Sequence, residues 1–202
     1  MSASNERRSP VSVLELAYAP LTVDSKDQVT YGAVVNMGGT LISANYAPQM
    51  NTTSQFAGGQ QYDSYTSKSG GTVDIQVPGL NGTDQQGLLG YKLNSTTGLI
   101  TSNKSDVVPF VMVIYSTETS EGRINLYKFP KTKFTTSGEN ATTKESNGVT
   151  FQATTLNGTY SPLIKTGDDM FCLKGLDPVE DSETINAWFA TATGGTGLAP
   201  SA

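Results

Sequence analysis

The sequence predicts a mainly β fold, a sandwich or barrel, and three observations carry that expectation. Apolar segments of strand length recur along the 202 residues, and the best of them alternate with a period of two. Val73, Ile75 and Val77 point one way while Asp74 and Gln76 point the other, and Val149, Phe151 and Ala153 alternate with Thr150 and Gln152 in the same manner. Gly, Pro and Asn punctuate these segments at short intervals. No strand–helix–strand rhythm of the kind that builds a parallel sheet runs through the chain.

Taken in order, residues 1–10 read as a loose polar arm, 11–190 as a single β-sandwich domain and 191–202 as a flexible Thr/Gly/Ala tail. Val11 to Ala19 predicts a first strand ended by Pro20, and Asp24 to Asp27 a turn. Val29 to Ile42, broken by Gly32, Gly38 and Gly39, predicts two short strands around a bend. Tyr46 to Gly71 has too few apolar residues for core and too many Tyr, Phe and Thr for a linker. It predicts a long projecting β-hairpin or loop, with a disordered loop as the alternative. Thr83 as N-cap, Gln86 three residues later and the pair Leu88 and Leu89 predict one short helix ending near Gly90.

Val107 to Tyr115 predicts a buried strand, forming a hairpin with Arg123 to Phe129 across Ser116 to Gly122. Phe134 to Thr136 is expected to pair with Val149 to Ala153 across the polar stretch Ser137 to Gly148. Leu156 to Leu163 follows as a strand bent at Asn157 and Gly158. A turn at Thr166 to Asp169, a short strand at Met170 to Leu173 and one or two helical turns over Glu183 to Ala190, carrying Trp188 and Phe189, complete the reading. The total is about eight strands.

Composition narrows the function. There is no histidine, which removes the usual general base, the Ser-His-Asp and Cys-His arrangements and the commonest zinc ligand. Cys172 stands alone, so neither an internal disulfide nor a thiolate metal site can form. Charged residues are 15% of the chain, against about 25% in ordinary soluble domains, so hydroxyl and amide side chains must keep the surface wet. A net charge of -5 argues against a surface made to grip nucleic acid. No apolar run approaches the ~18 residues of a membrane span, and the N-terminus lacks the apolar stretch of a signal peptide. The Asn-x-Ser/Thr triplets at Asn51, Asn81, Asn94, Asn103, Asn140 and Asn157 follow from a composition rich in Asn and Thr.

The residue clusters that invite chemistry each have a plainer reading. Asp177, Glu180, Asp181 and Glu183 are the densest oxygen ligands, yet they lack the glycine and alternate spacing of a calcium loop and read as a solvated turn. Asp168 and Asp169 read as a turn. The glycine groups at Gly58 and Gly59, Gly70 and Gly71, and Gly194 to Gly197 match no phosphate-binding pattern. Lys128, Lys131 and Lys133, interleaved with Tyr127, Phe129 and Phe134, have the form of a nucleic-acid surface, but charges guarding a strand edge explain three lysines equally well. No catalytic, cofactor-binding or metal residue is assigned, and the chain is not expected to be an enzyme.

The order of several stretches resembles the major tail tube protein family of long non-contractile-tailed bacteriophages (siphophages). Leu16-Ala-Tyr-Ala-Pro-Leu21 leads into Val29-Thr-Tyr-Gly32, similar to the family's aromatic-rich opening strand, acidic turn and "V-x-Y-G". The alternating Val73 to Val77 is followed by Leu88-Leu-Gly90, similar to "LLG". Pro109-Phe-Val-Met-Val-Ile-Tyr115 precedes Leu126-Tyr-Lys-Phe-Pro130, and Val149 to Tyr160 resembles "I-x-F-x-T-x-x-I-x-G-T-F". The likeness runs over roughly residues 11–165. It departs in its low charge, in the glycine pairs between Phe56 and Gly71, and in a threonine-rich Thr135 to Asn147.

The resemblance implies a β-sandwich or flattened barrel flanked by a helix. It implies a virion structural protein, assembled in the bacterial host cytoplasm, that associates with itself as homohexameric rings stacked into a tube for DNA ejection. The implied partners are further copies of the chain, a tape measure protein inside the tube, tail terminator and distal tail or initiator proteins, and genomic DNA in transit without specific binding. No cofactor and no membrane are implied. The rival reading from the residues is a β-sandwich carbohydrate- or receptor-binding module with Tyr62, Tyr65 and Trp188 as its platform, or another virion decoration protein.

Overall fold

The computed structural model describes residues 9–136, 138 and 152–190. Eleven strands and two helices follow in the order β1 (Pro10–Asp24), β2 (Val29–Tyr31), β3 (Val35–Gly38), β4 (Ser43–Ala57), β5 (Gln60–Val77), α1 (Gly82–Leu89), β6 (Lys92–Leu93), β7 (Ile100–Thr101), β8 (Val111–Thr119), β9 (Ile124–Thr136), β10 (Thr154–Tyr160), β11 (Phe171–Leu176) and α2 (Ser182–Ala190). The protein is mainly β. Nine strands form one antiparallel sheet along the path β2-β1-β8-β9-β10-β5-β4, with β3 joined to β1 and β11 to β9, while β6 and β7 make a separate small pair.

The sheet curls over its own core, which gives it the character of a sandwich or flattened barrel. Tyr46 on β4, the last strand of the path, lies 5.8 Å from Tyr127 and 5.7 Å from Phe129 on β9, ring centre to ring centre, although β10 and β5 separate those strands in the sheet. Tyr115 stacks on Tyr127 at 4.9 Å and Phe129 meets Tyr160 at 4.8 Å, so rings from four strands meet in the fold's interior. Each such pair adds about 0.5–1.5 kcal/mol beyond the burial of its area. Val73, Ile75, Val77, Leu88 and Leu156 complete this cluster.

β1, β8 and β9 are buried on both faces. Leu16, Tyr18, Val113 and Phe129 enter the aromatic cluster, while Ala17, Ala19, Met112, Ile114 and Leu126 face a second cluster closed by Leu176 on β11 and Phe189 on α2. This is why their sequences run apolar without strict alternation. The two helices therefore cover opposite faces. Gly87 lets α1 lie directly on Tyr18, since a Cβ there would stand 2.5 Å from the phenol oxygen.

Several expectations need correcting. β1 continues through Pro20 to Asp24, because its outer partner changes there from β3, paired with Leu16 to Tyr18, to β2, paired with Leu21 to Asp24. The missing N–H of proline falls in the gap between the two ladders. The N-cap of α1 is Asn81, whose side chain accepts from the Asp84 N–H at 2.8 Å, and not Thr83, although the helix does end at Gly90. β8 begins at Val111, and Val107 is exposed in the preceding loop. Phe134 to Thr136 pair with Leu156 to Gly158 on β10, a partner the sequence reading did not name. Asn157 and Gly158 make no bend: they stand in the ladder, where a Cβ on Gly158 would come within 2.6 Å of the Val73 carbonyl oxygen. By contrast, the helical turns expected over Glu183 to Ala190 are present as α2, which begins one residue earlier at Ser182. The arm and tail expectations at residues 1–8 and 191–202, the loop at Ser137 to Gly148 apart from Gly138, and the start of the Val149 strand lie outside the described residues.

Candidate channel face and assembly edge

The face of β9, β10, β5 and β4 that turns away from the core is polar except at Ala47. Strand register sets it out in rows: Ser43, Gln76 and Thr155; then Asn45, Asp74, Asn157 and Thr135; then Ala47, Thr72, Thr159 and Lys133. The alternate positions Val73, Ile75, Val77, Leu156, Tyr160 and Phe134 are buried, so the rows look outward by the pleat. Cross-strand bonds knit the surface, with Ser43 Oγ 3.1 Å from Gln76 Oε1 and Gln76 Nε2 donating to Thr155 Oγ1 at 3.5 Å.

Asp74 and Lys133 are the only charges in these rows. The Lys133 ammonium lies 4.3 Å from the centre of the Phe110 ring, which holds it at the β9 margin. Apart from Lys133 these rows carry hydroxyl and amide groups, one alanine and one carboxylate, a surface with little to hold phosphate electrostatically. A lysine-rich wall would bind them by releasing counterions.

Beyond this face β4 and β5 continue as a ribbon. From Met50 opposite Lys68 to Ala57 opposite Gln60 the two strands bond to each other alone, and almost every residue on both is exposed. Eight residues of strand carry the tip about 27 Å from its root. Gly58 and Gly59, at φ 60° and 80°, make the two-residue turn whose twist suits a hairpin. Thr52 and Thr66 hydroxyls meet at 2.9 Å, and Asn51 Nδ2 donates to Ser69 Oγ at 3.3 Å. The ribbon displays Met50, Phe56, Tyr62 and Tyr65, each at least 63% exposed. Among the described residues β4 has no partner but β5, so one whole edge of a 15-residue strand stands open. Such an edge invites pairing with another chain.

A family model described as phage tail tube protein matches residues 36–172, more than half of the chain and the part holding the polar face and the hairpin. The chain belongs to the phage tail tube protein family. No relative among the curated proteins matches it. It is thus a structural component of the virion tail, from a family that associates with itself into a tube.

In the tail tube chain the residues singled out by sequence separate into plain roles. Lys131 pairs with Asp24 at 2.5 Å, Lys133 lies over Phe110, and Lys128 is buried with its ammonium 4.5 Å from the Trp188 ring centre. The three lysines do not form one basic surface. Burial brings the Lys128 pKa down to about 8. Asp177 heads the turn into α2: its Oδ1 accepts from the N–H groups of Val179 and Glu180, which hold its carboxyl below the usual range, and its Oδ2 meets Arg123 at 2.6 Å. Among the described residues no group of three or more His, Cys, Asp or Glu is placed to hold a metal ion, and no helix is long and apolar enough to cross a membrane. Tyr62 and Tyr65 stand on the ribbon while Trp188 packs with the second core cluster, so the rival binding platform is not brought together.

Asp84 is a buried carboxyl beside the apolar cluster, on α1 against Tyr18. Burial raises its pKa, and the Tyr18 hydroxyl donates to it at 3.4 Å. It props α1 on β1 and touches neither the polar face nor the ribbon. The alternation of β5 already set Asp74 and Gln76 on the outward face, but nothing in the sequence marked Asn45, Asn157, Thr155 and Thr159 as sharing it. Their signal exists only once register aligns four strands.

Proposed function

We propose that the tail tube chain, with residues 11–190 as its tube-forming domain, assembles as stacked hexameric rings into the conduit of a long non-contractile tail. In this reading the polar face of β4, β5, β10 and β9 lines the lumen through which genomic DNA leaves. The open edge of β4 and the ribbon join neighbouring subunits. Tape measure protein fills the growing tube, and initiator and terminator proteins bound its two ends.

The observation that carries the reading is the ribbon. A hairpin with almost no buried side chain on either face gains nothing from its own core, so its ordered length and exposed aromatic groups are explained by contacts made outside the subunit. Sheets joined through edge strands also remove the hazard of an open β4.

Sedimentation of fresh protein across a concentration series, followed by negative-stain microscopy, tests this. Rings, tubes or a concentration-dependent passage from subunit to tube are expected. A species that stays monomeric at high concentration, with no initiator complex able to convert it, would overturn the proposal.

A further inference from the structure

Where the ribbon leaves the sheet, the chain is held far more tightly than a simple strand continuation requires. Pairing runs from Pro48 opposite Gly71 to Met50 opposite Lys68, so β5 carries an extra residue and bulges at this point. Gly70 sits at φ 100°, and a Cβ on it would stand 2.2 Å from the Tyr160 carbonyl oxygen. A Cβ on Gly71 would stand 2.2 Å from the Ala47 carbonyl oxygen and 2.6 Å from the Tyr160 hydroxyl. Tyr160, at the end of β10, therefore presses on the root from inside the fold. From outside, the Lys68 ammonium meets Asp169 Oδ1 at 2.8 Å, tying the first residues of the ribbon to the loop between β10 and β11. Asp169 Oδ2 and the Tyr160 hydroxyl are both buried without a hydrogen-bond partner beside this contact.

We infer that these residues form a clamp that fixes the direction in which the hairpin projects, with the Lys68–Asp169 ion pair as its outer jaw. Bulges re-aim strands, and a bulge alone would leave the angle soft. The glycines allow β10 to close on the root, and the ion pair adds a restraint across a sequence separation of 101 residues. A ribbon of this length magnifies any swing at its base, so the clamp decides whether the tip meets its neighbour in register. Its role is positioning: the pair is partly exposed and contributes little to the stability of the sheet, whereas a fixed ribbon direction lowers the ordering cost of assembly. This inference rests on the reading that the hairpin joins subunits, and its first test does not.

In a Cys172→Ser background, spin labels at Ser64→Cys and Thr155→Cys report the distance from ribbon to sheet in the free subunit. A single narrow distance is expected. Lys68→Ala should broaden it, and the exchanged pair Lys68→Asp with Asp169→Lys should narrow it again, while the melting temperature stays within about 2 °C in all three. A broad distribution in the parent, or a narrow one in Lys68→Ala, would overturn the clamp, as would a large fall in melting temperature that the exchange does not restore. The second readout is assembly: Lys68→Ala should raise the concentration at which tubes appear by about two- to fivefold, the range of a part-exposed ion pair, with recovery in the exchanged pair. Tubes at the parent concentration from Lys68→Ala would count against the clamp, and a parent that makes no tubes would count against the proposed function instead.

Discussion

Gly71 has no space for a side chain, since any Cβ would meet the carbonyl of Ala47 and the phenol of Tyr160 together. Gly71→Ala should destabilise the fold by about 1–3 kcal/mol, the usual range for forcing extra volume into packed structure, and urea titration measures it. A change below a few tenths would mean that the root yields more easily than its contacts suggest. Lys128 makes a second prediction at this scale. Burial brings its pKa to about 8, from 10.5 in the open chain, so below pH 8 it carries its proton in both states and the cost of burying the charge is complete. Between pH 8 and 10.5 the unfolded chain keeps a proton that the folded chain has lost, and stability rises with pH. Tyr18, Tyr31 and Tyr115, whose pKa values burial raises, oppose this only above pH 10. The rise from pH 8 to 10 should be on the order of 1–2 kcal/mol and should vanish in Lys128→Met; the same slope in that variant would remove Lys128 as its source.

Elements explain which parts of the fold could be read in advance. β5 was legible because its core-facing half alternates strictly, and the hairpin because Tyr46 to Gly71 suited neither core nor linker. The end of α1 was legible at Gly90, which adopts the left-handed conformation of a helix stop. β1 was cut short at Pro20 because nothing local reveals that its outer partner changes there. The pairing of Phe134 to Thr136 with β10 was not legible either, because register between strands about twenty residues apart leaves no local mark in the sequence. The ribbon's independence of the core gives this scale its prediction. Deleting Thr52 to Gly59 should leave the melting temperature almost unchanged and abolish tube formation. A collapsed melt would make the segment part of the core, and normal tubes would make it dispensable.

For the whole molecule the decisive property is how few charges the outward polar face carries, on a chain of net charge -5. Replacing Asp74 by lysine should leave folding intact, because its side chain stands off the core, and should slow DNA release by phosphate attraction. Tails of normal form with unchanged infectivity would argue against a lumenal position for that residue. The most direct test of the account is an electron-microscopy reconstruction of the assembled tube at side-chain resolution. It should show Asn45, Asp74, Asn157 and Thr159 on the inner wall and the ribbon from Met50 to Lys68 seated on neighbouring subunits. A tube with that face turned outward, or with the ribbon free in solvent, would contradict it.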